Sequence, residues 1–174
     1  VYTYGCATVG RPHIHHNYIH HCQNAGLGYG VNAGDGDVLV EGNVFHRNRH
    51  DMTGDGAEGE LYTFRYNYIT AALCEIQGQA HVDIHGRGDP EQYSGDRYDI
   101  YNNTFAGGQE LCVHQRGYPA VGCYVHHNLL NGDSAYTGYD GSPIAQDGYP
   151  DIGHMYVTYN YFGATLYTDD EICQ

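Results

Sequence analysis

The stretch Tyr62-Thr63-Phe64-Arg65-Tyr66-Asn67-Tyr68-Ile69 decides the fold, because its central pattern recurs along the chain. The pattern is an apolar residue, an asparagine three positions later and an apolar residue two further on. Its six copies are Ile14/Asn17/Ile19, Val40/Asn43/Phe45, Phe64/Asn67/Ile69, Ile100/Asn103/Phe105, Val125/Asn128/Leu130 and Val157/Asn160/Phe162. Successive asparagines are 26, 24, 36, 25 and 32 residues apart, so the repeat is about two dozen residues long. Two turns carry insertions, near 70–80 or 87–97 and near 131–142.

Each copy begins in a predicted β-strand and turns at its asparagine. Residue character alternates before the turn, as in Val38-Leu39-Val40, and a period of two is typical of a strand with one buried face. Asparagine tolerates the left-handed backbone conformation of a sharp corner, and stacked asparagine side chains can hydrogen-bond from one turn to the next. We therefore expect the six asparagines to form a structural ladder.

A second repeated element predicts a further wall of the coil. Its copies are Val31–Gly36, Asp51–Gly56 and Asp83–Gly88, with weaker copies at His114–Gly117 and Ala145–Gly148. Each copy indicates a strand that ends in a glycine turn, so every rung has at least two strands on different walls. The fold predicted for residues 1–174 is one all-β domain, a single-stranded right-handed parallel β-helix of about six to seven rungs with an asparagine ladder.

The charge balance excludes two classes of partner. Seven Lys and Arg residues stand against 21 Asp and Glu, a formal net charge of −14. Nucleic acids and anionic membrane surfaces both require a basic footprint, so neither is an expected partner. The sequence contains no apolar run of membrane-spanning length, and membrane insertion is not expected.

Cysteine usage predicts an oxidising compartment. The six cysteines are Cys6, Cys22, Cys74, Cys112, Cys123 and Cys173. Their even number and the lack of a Cys-x-x-Cys pair favour disulfides, with buried thiols as the alternative. Cys112 and Cys123 are close enough in sequence to close one loop. We therefore predict a secreted or cell-surface protein.

Aligning the glycines of the second element places polar side chains on the outer face of three neighbouring rungs, about 4.8 Å apart. Met52, Val82 and Ile84 are predicted to point inward. The predicted outer columns are Asp51 with Asp83 and His114, Thr53 with His85 and Arg116, and Arg49 with His81.

Stacked carboxylates repel each other, so either Asp51 or Asp83 should have a raised pKa and act as a general acid while the other stays ionised. This arrangement suits glycoside hydrolysis, with an arginine holding a sugar carboxylate. The catalytic candidates are Asp51, Asp83, His85, His114 and Arg116, and the substrate-binding candidates are Arg49 and His81.

Two alternatives for these residues stay open. His81, Asp83, His85 and His114 could together bind a divalent metal ion such as calcium; no other cofactor is expected. Stacked Asp, His and Arg side chains could instead form a charge-compensated ladder that holds the rungs in register.

The sequence resembles the secreted right-handed parallel β-helix repeat proteins of archaea and bacteria, which share the pectin-lyase-like architecture. The resemblance covers nearly the whole chain, through Ile14–Ile19, Asn48–Asp51, Tyr62–Asn67, His81–Gly86 and Val157–Gly163. It implies the coiled fold and a group that includes polysaccharide-active enzymes and surface proteins. Polygalacturonase-type hydrolases of this architecture place aspartates on adjacent rungs with His and Arg nearby, although their full catalytic motif set is not present here.

Two functions are expected from these observations. The first is an extracellular or cell-surface protein that binds or processes polysaccharide, as a hydrolase or lyase if it is an enzyme. The second is a non-enzymatic structural subunit of a surface layer, sheath or filament, assembled from copies of itself through the ends of the solenoid and stabilised by disulfides. The second function is suggested by the strand at Val1–Tyr4, which has no polar cap.

Overall fold

A computed structural model describes residues 1–3, 10–24, 26–70, 80–87, 93–108, 111–132, 142–147 and 154–163. Within these ranges the chain forms seventeen β-strands in three parallel sheets. The first sheet contains β1 (His13–His15), β4 (Asp37–Glu41), β7 (Leu61–Arg65), β10 (Arg97–Tyr101), β13 (Gly122–His126) and β16 (Met155–Thr158). The second contains β2 (Tyr18–His20), β5 (Val44–His46), β8 (Tyr68–Ile69), β11 (Thr104–Gly108), β14 (Leu129–Gly132) and β17 (Tyr161–Phe162). The third contains β3 (Tyr29–Ala33), β6 (His50–Gly54), β9 (Ala80–Ile84), β12 (Leu111–Arg116) and β15 (Ile144–Asp147).

Each strand pairs in parallel with the strand three places away in the chain, so one turn of the coil uses one strand of each sheet. In the first sheet Val40 pairs with Phe64, and Phe64 with Ile100. The predicted parallel β-helix is confirmed, and its right-handed sense stays a prediction. None of the described residues belongs to a helix that could cross a membrane.

The asparagines stand at the corner between the first and second sheets. Asn43, for example, donates its backbone N–H and its Nδ2–H to Oδ1 of Asn67, at 3.0 and 3.2 Å. The same two bonds join each of the other ladder asparagines to the next one, from Asn17 to Asn160. These side chains therefore satisfy backbone groups that the corner takes out of the sheets.

The left-handed conformation belongs to the residue before each asparagine, which corrects the expectation for the asparagines themselves. These residues are His16, Gly42, Tyr66, Asn102, His127 and Tyr159, with φ between 54° and 64°. The asparagine side chain must turn toward the next rung to make its bonds, so the preceding residue takes the sharp bend and points outward.

Two apolar columns fill the coil beside this corner. Val40, Phe64, Ile100 and Val125 come from the first sheet, and Phe45, Ile69, Phe105 and Leu130 from the second, all at most 1% exposed. Burial of each such side chain stabilises the fold by roughly 1.5–3 kcal/mol. Val157 and Phe162 continue the columns in β16 and β17, but they are 41% and 54% exposed.

The cysteines do not support the predicted disulfides. Cys123 is a buried thiol and Cys22 a half-buried thiol, so the Cys112–Cys123 bond is not formed. Burial raises the pKa of the Cys123 thiol, as does the charge of Asp99. Cys6, Cys74 and Cys173 lie outside the described residues.

Candidate functional site

The third sheet carries the residues singled out from the sequence, in a register that differs from the predicted one. Thr53 pairs with Asp83, and Asp83 with His114. Alignment by glycines matched Gly54 with Gly86, but Gly54 pairs with Ile84, because the first glycine after β9 comes two residues beyond the partner of Gly54. The predicted stacking of Asp51 on Asp83, of Thr53 on His85 and of Arg49 on His81 is therefore wrong.

The predicted alignment of β9 with β12 is correct. Asp83 lies beside His114, and the pairing of Ile84 with Gln115 brings His85 next to Arg116. Met52, Val82 and Ile84 belong to the buried apolar core, as predicted.

Asp51 and His81 form a pair that faces the inside of the coil. Oδ2 of Asp51 lies 2.7 Å from Nδ1 of His81, and its Oδ1 accepts a hydrogen bond of 2.8 Å from Nδ2 of Asn48. The His81 ring lies 5.9 Å from the ring of the core residue Phe105. Asp51 and His81 are 1% and 2% exposed, so neither lies on the outer wall where the alternating pattern had placed it.

The rung before β6 gives the same inward direction for the column of Asp51. Gly30 lies beside Asp51 in the register of β3 and β6, and an added Cβ there would meet the core side chains of Phe45 and Ile19 at 3.2 and 3.3 Å. Asp51 and its neighbour Met52 are therefore both directed toward the core, a local departure from strict alternation.

Asp83 is the centre of a separate cluster. Its carboxylate accepts hydrogen bonds of 3.1 and 2.7 Å from Nε and Nη2 of Arg116. Nε2 of His85 lies 2.9 Å and Nε2 of His50 3.4 Å from Oδ2 of Asp83, and Nδ1 of His114 lies 3.9 Å from Oδ1. The side chains of Asp83, His50 and His114 are at most 3% exposed, whereas those of His85 and Arg116 are 32% and 25% exposed.

These neighbours determine the protonation of Asp83. Burial by itself would raise the pKa of this carboxyl group, but the hydrogen bond from His85 and the charges of His50, His85 and Arg116 outweigh it and hold the pKa well below its usual range. Burial also lowers the pKa of His50, against the attraction of Asp83. Of the two aspartates, Asp83 is therefore not the one with a raised pKa, and it stays ionised as the acceptor of the cluster. This geometry favours a charge-compensated ladder.

Arg49 packs against Tyr29, and its charge helps to lower the pKa of His50. Its guanidinium carbon is 5.6 Å from the centroid of the Tyr29 ring, a cation–π distance. Its role in binding a substrate stays a prediction.

The proposed metal ligands do not converge. His81 points into the coil toward Asp51, whereas His85 and His114 surround Asp83. The described residues contain no group of three or more His, Cys, Asp or Glu side chains arranged to hold a metal ion.

Glu60 is a buried carboxyl group that the sequence analysis missed. Its Oε1 accepts a hydrogen bond of 2.8 Å from the Tyr98 hydroxyl, and its Oε2 one of 2.8 Å from the backbone N–H of Asp55. Burial raises its pKa to about 7, although these hydrogen bonds oppose the shift. An added Cβ on Gly54 would clash with the carboxylate. The available signal was a glutamate next to a glycine-rich turn, Gly54–Gly59.

A group of exposed tyrosines, which we call the tyrosine wall, surrounds the asparagine corner. It consists of Tyr66, Tyr68, Tyr156, Tyr159 and Tyr161, which are 57%, 47%, 48%, 82% and 67% exposed. Further rings border it, since Tyr124 stacks on Tyr156 with centroids 4.9 Å apart and Tyr101 stacks on His126 at the same separation.

Fold and surfaces together define a parallel β-solenoid protein with a charge-compensated cluster around the buried Asp83 in one sheet and an exposed aromatic corner between the other two. No protein family, curated protein or solved structure matches the chain.

Proposed function

We propose that this is a secreted or cell-surface β-helix protein of the pectin-lyase-like architecture that binds a neutral polysaccharide on its tyrosine wall. The observation that carries the proposal is the exposure of five tyrosines around one corner, each at least 47% exposed. A tyrosine ring offers an apolar face with a polar hydroxyl at its edge, which suits a ligand with alternating C–H and hydroxyl groups. Exposed aromatic side chains gathered in one place are typical of a binding surface.

The spacing of the tyrosines fits a polymer. Tyr66 and Tyr68 flank Asn67, and Tyr159 and Tyr161 flank Asn160, three steps further along the asparagine ladder. Rungs are about 4.8 Å apart, so the two groups are separated by about 14 Å. A ligand that contacts both groups must span that length, which favours a chain of sugar units.

The electrostatics favour a neutral ligand. The formal net charge of −14 repels polyanions. The arginines near the wall are already paired, since Arg65 lies 2.6 Å from Glu41 and Arg97 makes two hydrogen bonds of 2.8 and 2.9 Å to Asp99. No acidic sugar is needed to neutralise them.

The aspartates do not support hydrolysis by the predicted mechanism. Glycoside hydrolysis by two carboxyl groups requires one protonated acid and one carboxylate, both in reach of the sugar. Asp51 faces the interior and Asp83 is ionised and ion-paired. We therefore propose binding without turnover at these residues.

Binding is tested by affinity electrophoresis of the chain through gels that contain hydroxyethylcellulose, galactomannan, soluble starch or, as the acidic comparison, polygalacturonate. The informative variant is Tyr66→Asn/Tyr159→Asn, because asparagine keeps the left-handed backbone of both positions. Tyr118→Asn is the matched control, since Tyr118 is 40% exposed but lies outside the wall. Retardation of the wild type by a neutral polymer, lost in the double variant and kept in the control, supports the proposal. Equal mobility of all three in every gel contradicts it.

A second candidate is assembly of copies by stacking of rungs, and the asparagine ladder favours it. In the first described rung of the ladder Oδ1 of Asn17 accepts no hydrogen bond from the described residues, and in the last one the backbone N–H of Asn160 donates none to them. Stacking β16 and β17 on β1 and β2 of a second copy would join these groups and cover Val157 and Phe162. Sedimentation velocity over a hundredfold concentration range tests this candidate: growing assemblies that Val157→Asp abolishes support it, and a constant monomer contradicts it.

A further inference from the structure

Three pairs of consecutive histidines share one geometry. Nδ1 of the first residue lies 2.8 Å from Nδ1 of the second in His15–His16 and His20–His21, and 2.9 Å in His126–His127. The two rings of each pair stand almost perpendicular, at 88–90°. The same arrangement therefore occurs at three places in the coil.

The backbone produces this arrangement. The second histidine of each pair has a left-handed conformation, with φ of 54° at His16, 53° at His21 and 55° at His127. The bend brings side chains that would point to opposite faces of a strand onto the same side of the corner. Five of the six rings are exposed and the sixth, His126, is half-buried, so an ion can reach them from solvent.

The separation of the nitrogens matches two neighbouring positions around a metal ion. Imidazole nitrogens bind first-row metals at about 2.0–2.1 Å, and two such bonds at a right angle put the nitrogens about 2.9 Å apart. Square-planar coordination by nitrogen and oxygen is typical of Cu²⁺ and Ni²⁺, and Cu²⁺ has the highest affinity in the divalent series.

We propose that His15–His16, His20–His21 and His126–His127 each chelate one Cu²⁺ ion through their two Nδ1 atoms, with water completing the coordination. These sites use two protein ligands each, and none of them shares a residue with the Asp83 cluster or the tyrosine wall. The inference is independent of polysaccharide binding.

The test is equilibrium dialysis of the whole chain against Cu²⁺ in a weakly coordinating buffer, with electron paramagnetic resonance of the bound ion. The expected stoichiometry is one Cu²⁺ for each of the three pairs, with hyperfine structure from two nitrogens. The triple variant His16→Asn/His21→Asn/His127→Asn keeps a residue that tolerates the left-handed backbone but removes one ligand per pair, and its Cu²⁺ affinity should fall at least tenfold. Asn102→Gly, at an equivalent corner without a histidine pair, should bind like the wild type.

The alternative is that each pair is only a hydrogen bond between neutral rings. In that case the triple variant binds as much Cu²⁺ as the wild type, with an unchanged spectrum, and the proposal is overturned. If the triple variant does not fold, the three single variants decide the question: each should lower the stoichiometry by one ion, and an unchanged stoichiometry in all of them overturns the proposal equally.

Discussion

Nδ1 of His81 lies 2.7 Å from Oδ2 of Asp51 inside the coil, with both residues buried and Asn48 bonded to the other carboxylate oxygen. Removing one member of such a pair leaves the other buried without its partner, which costs about 3–5 kcal/mol of unfolding free energy. We expect Asp51→Leu and His81→Phe each to cost that much, and the double variant to cost clearly less than their sum. Urea denaturation of the four proteins measures the coupling, and strictly additive losses would show that the two side chains do not interact.

The Asp83 cluster should stabilise the fold far more than an exposed ion pair. Asp83→Asn removes the acceptor shared by Arg116, His85 and His50 and should lower the unfolding free energy by about 3 kcal/mol. Asp99→Asn is the matched control, because Asp99 pairs with the exposed Arg97 and its loss should cost less than about 1 kcal/mol. Equal losses in chemical denaturation would refute the assignment of a structural role to the cluster.

Glu60 should make stability depend on pH. Its pKa is about 7 in the folded chain against an ordinary value of 4.5. The unfolded chain therefore releases this proton first as pH rises, so the contribution of Glu60 is fully present below pH 4.5 and is lost as pH approaches 7. The loss amounts to about 3 kcal/mol.

Glu60→Gln removes this titration. The unfolding free energy of the variant, followed by denaturation between pH 4 and pH 8, should lack the part of the decline that Glu60 causes in the wild type. Parallel pH profiles of wild type and variant would mean that Glu60 titrates normally.

The ladder residue Asn67 should be essential for stability, whereas Asn102, the exposed residue that precedes the ladder residue Asn103, should be dispensable. Asn67→Ala leaves the N–H of Asn43 and the carbonyl of Val40 without their partner, which costs about 2–4 kcal/mol for the two buried groups. Asn102→Gly keeps the left-handed backbone and removes no ladder bond, so its melting temperature should stay within a few degrees of the wild type. A comparable fall in both variants would argue against a specific contribution of the ladder.

The coil was predictable because its signal repeats. The spacing of Asn67 from Asn43 and Asn103 sets the length of each turn, and the alternation before each asparagine identifies the inward side chains. The register of the third sheet was not predictable from the sequence. The glycine used as a marker, Gly54 in β6, has its counterpart Gly86 two residues later in the rung of β9. The inward direction of Asp51 departs from the alternation and leaves no signal in the local sequence.

Burial of polar side chains was equally hidden. Glu60 lies next to a glycine-rich turn, but its burial depends on the bond to Tyr98, 38 residues further along the chain, which no local pattern indicates. Asp83 was correctly placed beside His114, but its depth and its ion pairs depend on side chains from three rungs.

We propose that the third sheet carries a structural cluster and the asparagine corner a separate binding surface, and one measurement tests this separation most directly. The binding isotherm of the neutral polysaccharide that the wild type retains most strongly is recorded for Tyr66→Asn/Tyr159→Asn and for Asp83→Asn, at a temperature where both are folded. We expect the tyrosine variant to lose binding at least tenfold with little change in melting temperature, and Asp83→Asn to bind like the wild type while melting at a lower temperature. Loss of binding in Asp83→Asn with full binding by the tyrosine variant would contradict the account.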